Sequence, residues 1–312
     1  MSGAEPKVTA VVLNAAGKEL LLDCLRSLGT CSYEALDIVV VRNGPADAEL
    51  AAQARSASPR VAEIVFVGHN AGFAGGNNPG IKLAMERGAD YVLLLNDDTA
   101  VAPDFLRKLV AESGKDQSIG MAGPRIFYFY EPEKIWFSGA SFDPASCSFS
   151  FPGADLTEKS FGTREPADTA YITGCCLLVS RKLLETVGSL DENFFLYWED
   201  SDWGLRAAAA GFKSVVVPEA RIWHKVSVSS GGNDSPFKIY HKTRGQLLFC
   251  ERHAPAARKK LLGGFARDMA WLVFKSCAPH RFRRAAAYAA GIAGYFSGEK
   301  GPGPAWLKTE NK

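Results

Sequence analysis

Four short apolar runs, separated by stretches of helical periodicity, organise the first third of this chain. Val8-Thr-Ala-Val-Val-Leu13, Asp37-Ile-Val-Val-Val41, Ala62-Glu-Ile-Val-Phe-Val67 and Tyr91-Val-Leu-Leu-Leu95 have the length and β-branched bias of strands buried on both faces of a sheet. Between them, Leu20, Leu21, Cys24, Leu25 and Leu28 recur at helical spacing over Lys18 to Leu28, and Ala46 to Ser56 and Ile81 to Arg87 also read as helices. This β-α-β-α-β-α-β alternation predicts a mostly parallel, doubly wound α/β sheet with its loops clustered at the strand C-termini. Past Gly120 the alternation breaks. Met121 to Tyr130, Ile135 to Phe142, Ala170 to Val179 and Lys213 to Val217 read as strands, the last ended by Pro218. Ser146 to Asp168 reads as a loop or small hairpin, and Arg181 to Val187 as a helix. From Phe237 the chain is mainly helical, and the Gly/Pro-rich stretch from Gly298 reads as disordered.

Chemistry gathers where these runs stop. The fourth strand ends abruptly at Asn96-Asp97-Asp98-Thr99, at the edge where open α/β sheets bind their ligands. Hard carboxylate oxygens there suit Mg²⁺ or Mn²⁺, and such a metal suits a diphosphate. The plainer alternative makes Asp98 or Thr99 the N-cap of a helix near Asp104 to Val110. The loop Asn70-Ala-Gly-Phe-Ala-Gly-Gly-Asn-Asn-Pro-Gly80 offers Gly72, Gly75, Gly76 and Gly80 for close backbone approach to an anion, yet is neither a GxGxxG nor a P-loop. Further on, Glu199, Asp200 and Asp202 crowd the start of a helix ending at Gly211, directly after Phe194, Phe195, Tyr197 and Trp198. The helix dipole alone favours acids there; aromatics beside carboxylates also make a substrate wall beside a catalytic base. His224 is a metal-ligand candidate or a satisfied structural histidine.

Charge and cysteine usage narrow the class. The net charge of +2 hides an asymmetry: residues 255–312 carry eleven Lys/Arg and three Asp/Glu, leaving the rest acidic. Within that basic tail, Leu261, Leu262, Phe265, Met269, Trp271, Leu272, Val273 and Phe274 alternate with cations, which fits a segment lying on an anionic membrane or a helix packed on the main domain. Seven cysteines without zinc-like spacing suit a reducing, cytoplasmic setting. Met1 to Lys7 has no apolar signal region, and no apolar stretch reaches the roughly 18 residues of a membrane span. Nothing points to nucleic acid.

The ordered set Val11-Val-Leu-Asn14, Val39-Val-Val-Arg-Asn43, Asn70 to Gly80, Leu94-Leu-Asn-Asp-Asp-Thr99, Thr173 to Arg181, Val187 to Glu192, Tyr197 to Arg206 and Trp223-His224 resembles the inverting family 2 glycosyltransferases of the GT-A fold, nearest their bacterial rhamnosyltransferase-like subgroup. The resemblance implies a GT-A domain over 1–250 and a helical basic extension over 251–312. It implies a DXD-type motif in which Asp98 binds Mn²⁺ or Mg²⁺ and Asn96 and Asp97 contact the donor. His224 is then a second metal ligand and Asp200 the catalytic base, with Trp198 and Glu199 lining the acceptor site. Asn14, Arg42, Asn43, Asn70, Gly75, Gly76 and Asn77 fall in the family's nucleotide-binding regions. The implied reaction moves rhamnose or another hexose from a nucleoside-diphosphate sugar to a saccharide or lipid-linked saccharide, in bacterial surface polysaccharide synthesis. It would run in the cytoplasm, with a peripheral contact at the inner face of the plasma membrane as the tail's functional alternative.

Two departures are visible. Arg42 stands where the family usually has an Asp, and Ala15-Ala16 where it has an aromatic and an Asn. They leave room for a changed nucleotide preference, for a phosphate contact by Arg42, or for a catalytically silent sugar-nucleotide-binding homologue. A nucleotidyltransferase is the alternative outside the family.

Overall fold

The computed structural model describes residues 5–15, 17–226, 235–277 and 279–308. Ala16 of the first-loop departure lies outside them. The first half runs β1 (Val8–Asn14), α1 (Lys18–Gly29), β2 (Leu36–Arg42), α2 (Ala48–Ala57), β3 (Val61–Phe66), α3 (Gly72–Glu86), β4 (Tyr91–Asn96), β5 (Thr99–Val101) and α4 (Phe105–Ser113). The middle runs β6 (Ile119–Tyr128), β7 (Ile135–Phe137), β8 (Ser141–Asp143), β9 (Ser148–Ser150), α5 (Glu158–Phe161), β10 (Ala167–Thr169), β11 (Cys176–Ser180), α6 (Arg181–Val187), α7 (Glu199–Ala209) and β12 (Lys213–His224). The C-terminal helices are α8 (Pro236–His253), α9 (Arg258–Phe274) and α10 (Arg281–Phe296), followed by a 3₁₀ turn over Ala305–Lys308.

One ten-stranded sheet carries the molecule, in the order β10-β12-β6-β11-β4-β1-β2-β3, with β5 added to β12 and β7 to β6. β1 lies parallel to both β2 and β4, with Val11 opposite Val39 and Leu94. All seven residues of β1 are buried, as the unbroken run requires. β11 inserts antiparallel between β4 and β6, which is where the simple alternation fails. The buried Leu21, Leu25 and Leu28 face of α1 joins the same core.

The Gly-rich stretch is a helix and not the loop its composition suggests: α3 begins at Gly72, nine residues before the expected start. A Cβ on Gly80 would stand 2.5 Å from Val11 Cγ1 and 2.8 Å from Val41 Cγ2, and one on Gly76 2.7 Å from Leu13 Cδ1. These glycines let the helix lie directly on β1 and β2. β12 is also longer than expected. It continues through Pro218 to His224 because a register shift between Val217 and Arg221 accommodates the missing N–H.

The expected boundary at residue 250 falls inside α8, whose start is fixed by Ser235, its Oγ accepting from Lys238 N. Phe249 and Cys250 of α8 bury with Phe194 and Cys147. In α9, Phe265 and Leu272 are buried while Trp271 and Phe274 are exposed, so the apolar residues of the basic tail divide between packing and surface. The stretch from Gly298 is ordered as far as Lys308, against the sequence expectation. Leu307 is buried beside Ile239 and Tyr240 of α8, and Arg244 Nη1 donates to Glu299 O at 2.6 Å. Residues 309–312 lie outside the described set.

Candidate active site

Three strands deliver the first group of polar residues. Register puts the C-terminal ends of β2, β1 and β4 side by side, with Asn14 opposite Arg42 and Leu13 opposite Asn96. There Arg42 Nη1 donates to Asn14 Oδ1 at 2.7 Å, and Asn14 Nδ2 donates to Asp97 Oδ2 at 2.6 Å. Asn43 Nδ2 donates to Asn70 Oδ1 (3.2 Å) and Gly72 O (2.8 Å), and its Oδ1 accepts from Ala71 N (2.8 Å), which fixes the entry to α3. Asn70 is exposed at this mouth. Asn77 is buried and its amide donates to Phe73 O, so with Gly76 it belongs to the helix–sheet contact; a Cβ on Gly75 would stand 3.9 Å from Glu192 Cδ.

Asp97 and Asp98 form the tight turn between β4 and β5. Asp98 and Thr99 cap no helix: α4 starts at Phe105, and Thr99 Oγ1 donates to Asn96 O instead. β5 pairs antiparallel with the end of β12, setting His224 opposite Thr99, and Lys225 N donates to Asp98 O at 2.9 Å. This register brings His224 Nε2 to 3.1 Å from Asp98 Oδ1. Trp136 covers the imidazole edge-on at 4.5 Å between centroids. Asp98 Oδ1 and His224 Nδ1 are buried without a hydrogen-bond partner. Burial, with the Asp98 charge beside it, pushes the Asp97 carboxyl up to about 7.

A cation fits this corner. Two cis ligands of an octahedral ion with bonds of about 2.1 Å stand roughly 3.0 Å apart, close to the Asp98–His224 spacing. No cluster of three or more His, Cys, Asp or Glu able to hold a metal occurs among the described residues. Two protein ligands suit an ion that completes its shell with water and phosphate.

The second group sits at the start of α7. Tyr197 and Trp198 both have left-handed backbone, φ 68° and 77°, a strained pair for bulky residues. The pair is held from outside. Trp198 Nε1 donates to Lys242 O at 3.1 Å, its ring packs 5.0 Å from Phe249, and a Cβ on Gly245 of α8 would stand 2.9 Å from Trp198 Cδ1. The turn aims Asp200 at Gly174, whose N–H donates to Asp200 Oδ2 at 2.9 Å; Ser201 N and Oγ donate to Oδ1 at 2.7 and 3.2 Å. Burial raises the Asp200 carboxyl above its ordinary range against these bonds. Glu199 is buried, its Oε2 has no hydrogen-bond partner, and burial and the Asp200 charge push it well up.

Asp202 is placed differently. Its side chain is fully buried and accepts from Arg206 Nε (2.8 Å), His253 Nε2 (2.9 Å) and Arg252 Nη1 (3.2 Å). Burial alone would raise it, but these bonds and the arginine charges hold it below the usual carboxylate range. It ties α7 to α8 and has no face left for a ligand.

The stretch Thr173–Cys175 connects the two groups. Gly174 N donates to Asp200, while Cys175 O accepts from Asn96 N at 2.9 Å. Sequence reasoning missed this bridge, and also Trp136, Gly245 and the α8 support. A glycine inside the long α8 pattern was the one available signal.

Residues 6–246 match the family described as Glycosyltransferase like family 2. The chain is 28% identical over 179 residues to the N-acetylglucosaminyl-diphospho-decaprenol L-rhamnosyltransferase of Mycobacterium tuberculosis, covering 53% of this chain and 56% of that one. It is 26% identical over 202 residues to the dTDP-rhamnosyl transferase RfbF of Shigella flexneri, covering 62% and 64%. The match thus spans a little over half the length of these relatives. Among solved structures, GalNAc-T7 with UDP, GalNAc and Mn²⁺ superposes with a TM-score of 0.63 at 13% identity, over 93% of this chain and 56% of that one. The mannosyltransferase PcManGT of Pyrobaculum calidifontis with GDP-Man and Mn²⁺ gives 0.56 at 17% identity, over 96% and 77%.

Proposed function

The chain belongs to the family 2 glycosyltransferases, and from that premise we propose an inverting hexosyl transfer from a nucleoside-diphosphate sugar to a saccharide or lipid-linked saccharide. The observation that supports the reading is the Gly174–Cys175 bridge, which bonds Asp200 through Gly174 N and, through Cys175 O, the Asn96 that stands two residues before Asp98. In the reaction the bond from the anomeric carbon to the diphosphate oxygen breaks as the acceptor hydroxyl oxygen attacks. Asp200 accepts the hydroxyl proton. Attack opposite the leaving group inverts the anomeric carbon. Asp98 and His224 would hold Mn²⁺ or Mg²⁺, which supplies charge stabilisation for the departing diphosphate; the structural neighbours with Mn²⁺ and a nucleotide or nucleotide sugar support this.

Asn14, Arg42, Asn43, Asn70, Asn96 and Asp97 form the donor side. Arg42, already turned onto Asn14, gives that side a cation where the family has an acid, which favours a phosphate contact. Trp198 and Glu199 shape the acceptor side. Residues 1–250 act as the transferase unit and 251–312 as its helical extension, in the cytoplasm. The rhamnosyltransferase relatives favour rhamnose and an envelope polysaccharide. A thermal-shift screen of nucleoside diphosphates and their sugars, with and without Mn²⁺, tests this. Stabilisation that requires both metal and diphosphate, and is lost in Asp98→Ala, is expected; metal-independent or mutation-insensitive binding refutes the site.

A further inference from the structure

The C-terminal helices present a surface that holds none of the proposed donor, acceptor or catalytic residues. α9 and α10 run antiparallel, with Phe265 against Tyr288 at 5.7 Å between centroids. Phe265, Leu272 and Ala285 are buried, so the apolar positions midway along the pair are already covered. Three of the uncovered ones gather where the pair turns, with Phe296 exposed at the far end of α10. Trp271 is 53% exposed, Phe274 82% and Phe282 60%, and Lys275, Cys277, Pro279 and His280 between them are exposed too. The Arg281 guanidinium lies over the Phe282 ring at 4.7 Å, presenting cation and ring together. Between residues 254 and 298 the chain carries eight Lys/Arg and a single acid, Asp268.

No helix among the described residues is long and apolar enough to cross a membrane. A projecting turn of three aromatic rings set in cations, with one counter-acid nearby, is matched to a surface that is apolar beneath and negatively charged on top. Its charge opposes pairing with a second copy of the same turn.

We propose that the α9–α10 turn is a membrane-docking wedge: Trp271, Phe274 and Phe282 enter the headgroup boundary of an anionic bilayer while Lys275 and Arg281 stay among the lipid phosphates. This assignment is independent of the transfer reaction. It differs from a membrane-lying amphipathic α9, because Phe265 and Leu272 remain inside the protein.

Co-sedimentation of the full chain with phosphatidylglycerol/phosphatidylcholine vesicles, beside pure phosphatidylcholine vesicles, tests it. The chain is expected to pellet with anionic vesicles at low salt, to be released as salt rises, and to stay in solution with neutral ones. Lys275→Glu is expected to weaken binding roughly tenfold. The combined Trp271→Ser, Phe274→Ser and Phe282→Ser variant is expected to lose it, while Phe296→Ser, exposed at the other end of α10, leaves it intact. If the combined variant melts early, Phe274→Ser alone gives the reading, since that ring is largely free of protein contact. A full chain that ignores anionic vesicles at low salt, or a wedge variant that binds as the parent does, overturns the proposal. So does a wedge-dependent dimer in light scattering without vesicle binding.

Discussion

Asp200 and Asp202 are two residues apart on α7, and their surroundings predict different consequences of the same change. In Asp202→Asn the amide keeps one acceptor oxygen but loses the charge that meets Arg206, Arg252 and His253. Removing one partner of a buried ion pair costs about 3–5 kcal/mol. Here Arg252 keeps Asp191 at 2.5 Å and Arg206 keeps the carbonyls of Val187 and Ser189, so about 2–3 kcal/mol is expected. For a chain of this size that lowers Tm by roughly 3–5 °C. In Asp200→Asn the amide NH2 must face either Gly174 N–H or Ser201 N–H, both of which donate to the carboxylate, so a smaller loss than at Asp202, of about 1 kcal/mol, is expected. Turnover should fall roughly 10²–10⁴-fold. Calorimetric melts and a coupled assay for released nucleoside diphosphate, run on both variants, give the comparison. An Asp202→Asn enzyme with unchanged Tm and no turnover, beside an active Asp200→Asn, would refute the assignment of both residues.

Three other expectations follow from the same geometry. With Asp200 as the proposed base, the acid limb of kcat/KM is expected above the ordinary carboxylate range of about 4, because burial raises its pKa; a limb at or below that range argues against Asp200 as base. Asp202, whose folded pKa is lowered, contributes stability that is fully present above its unfolded value of about 3.9 and lost as pH falls through the folded one, so the Tm gap between parent and Asp202→Asn should close toward pH 2, which acid melts measure. Gly245→Ala drives a Cβ to 2.9 Å from Trp198 Cδ1 and 3.1 Å from Tyr197 O; a cost of about 1–3 kcal/mol and a fall in kcat are expected, and steady-state kinetics with unaltered kcat would show that the left-handed pair does not govern Asp200.

Much of the fold was legible because burial on both faces leaves a simple mark: β1, β2 and β4 are apolar runs, and α1 shows its buried stripe at the expected spacing. What stayed hidden depended on contacts between distant segments. Pro218 reads as a stop, yet the bulge after Val217 carries β12 past it. Glycines at 76 and 80 read as a ligand loop because composition cannot reveal that Leu13, Val11 and Val41 lie against them. The carboxylates at 98 and 200 were visible as candidates, each with a capping or dipole alternative. Removing the cap alternative required the three-residue β5, too short to leave a pattern. Distinguishing Asp200 from Asp202 required Arg252 and His253, supplied by a helix some fifty residues further along.

The pairing of β5 with the end of β12 also orders events during synthesis. Asp98 emerges from the ribosome long before His224, and β12 must then enter between β10 and β6 to bring the two side chains together. Until it does, β6 has an open edge and Asp98 lacks its imidazole neighbour. Such non-local strand insertion is slow, so a nascent chain that has already built β1 to β4 is expected to pass through a state with those strands assembled and Asp98 still without His224 beside it. Chaperone demand and aggregation should then concentrate at chain lengths just short of β12, where an arrested nascent chain would expose β6 to its neighbours.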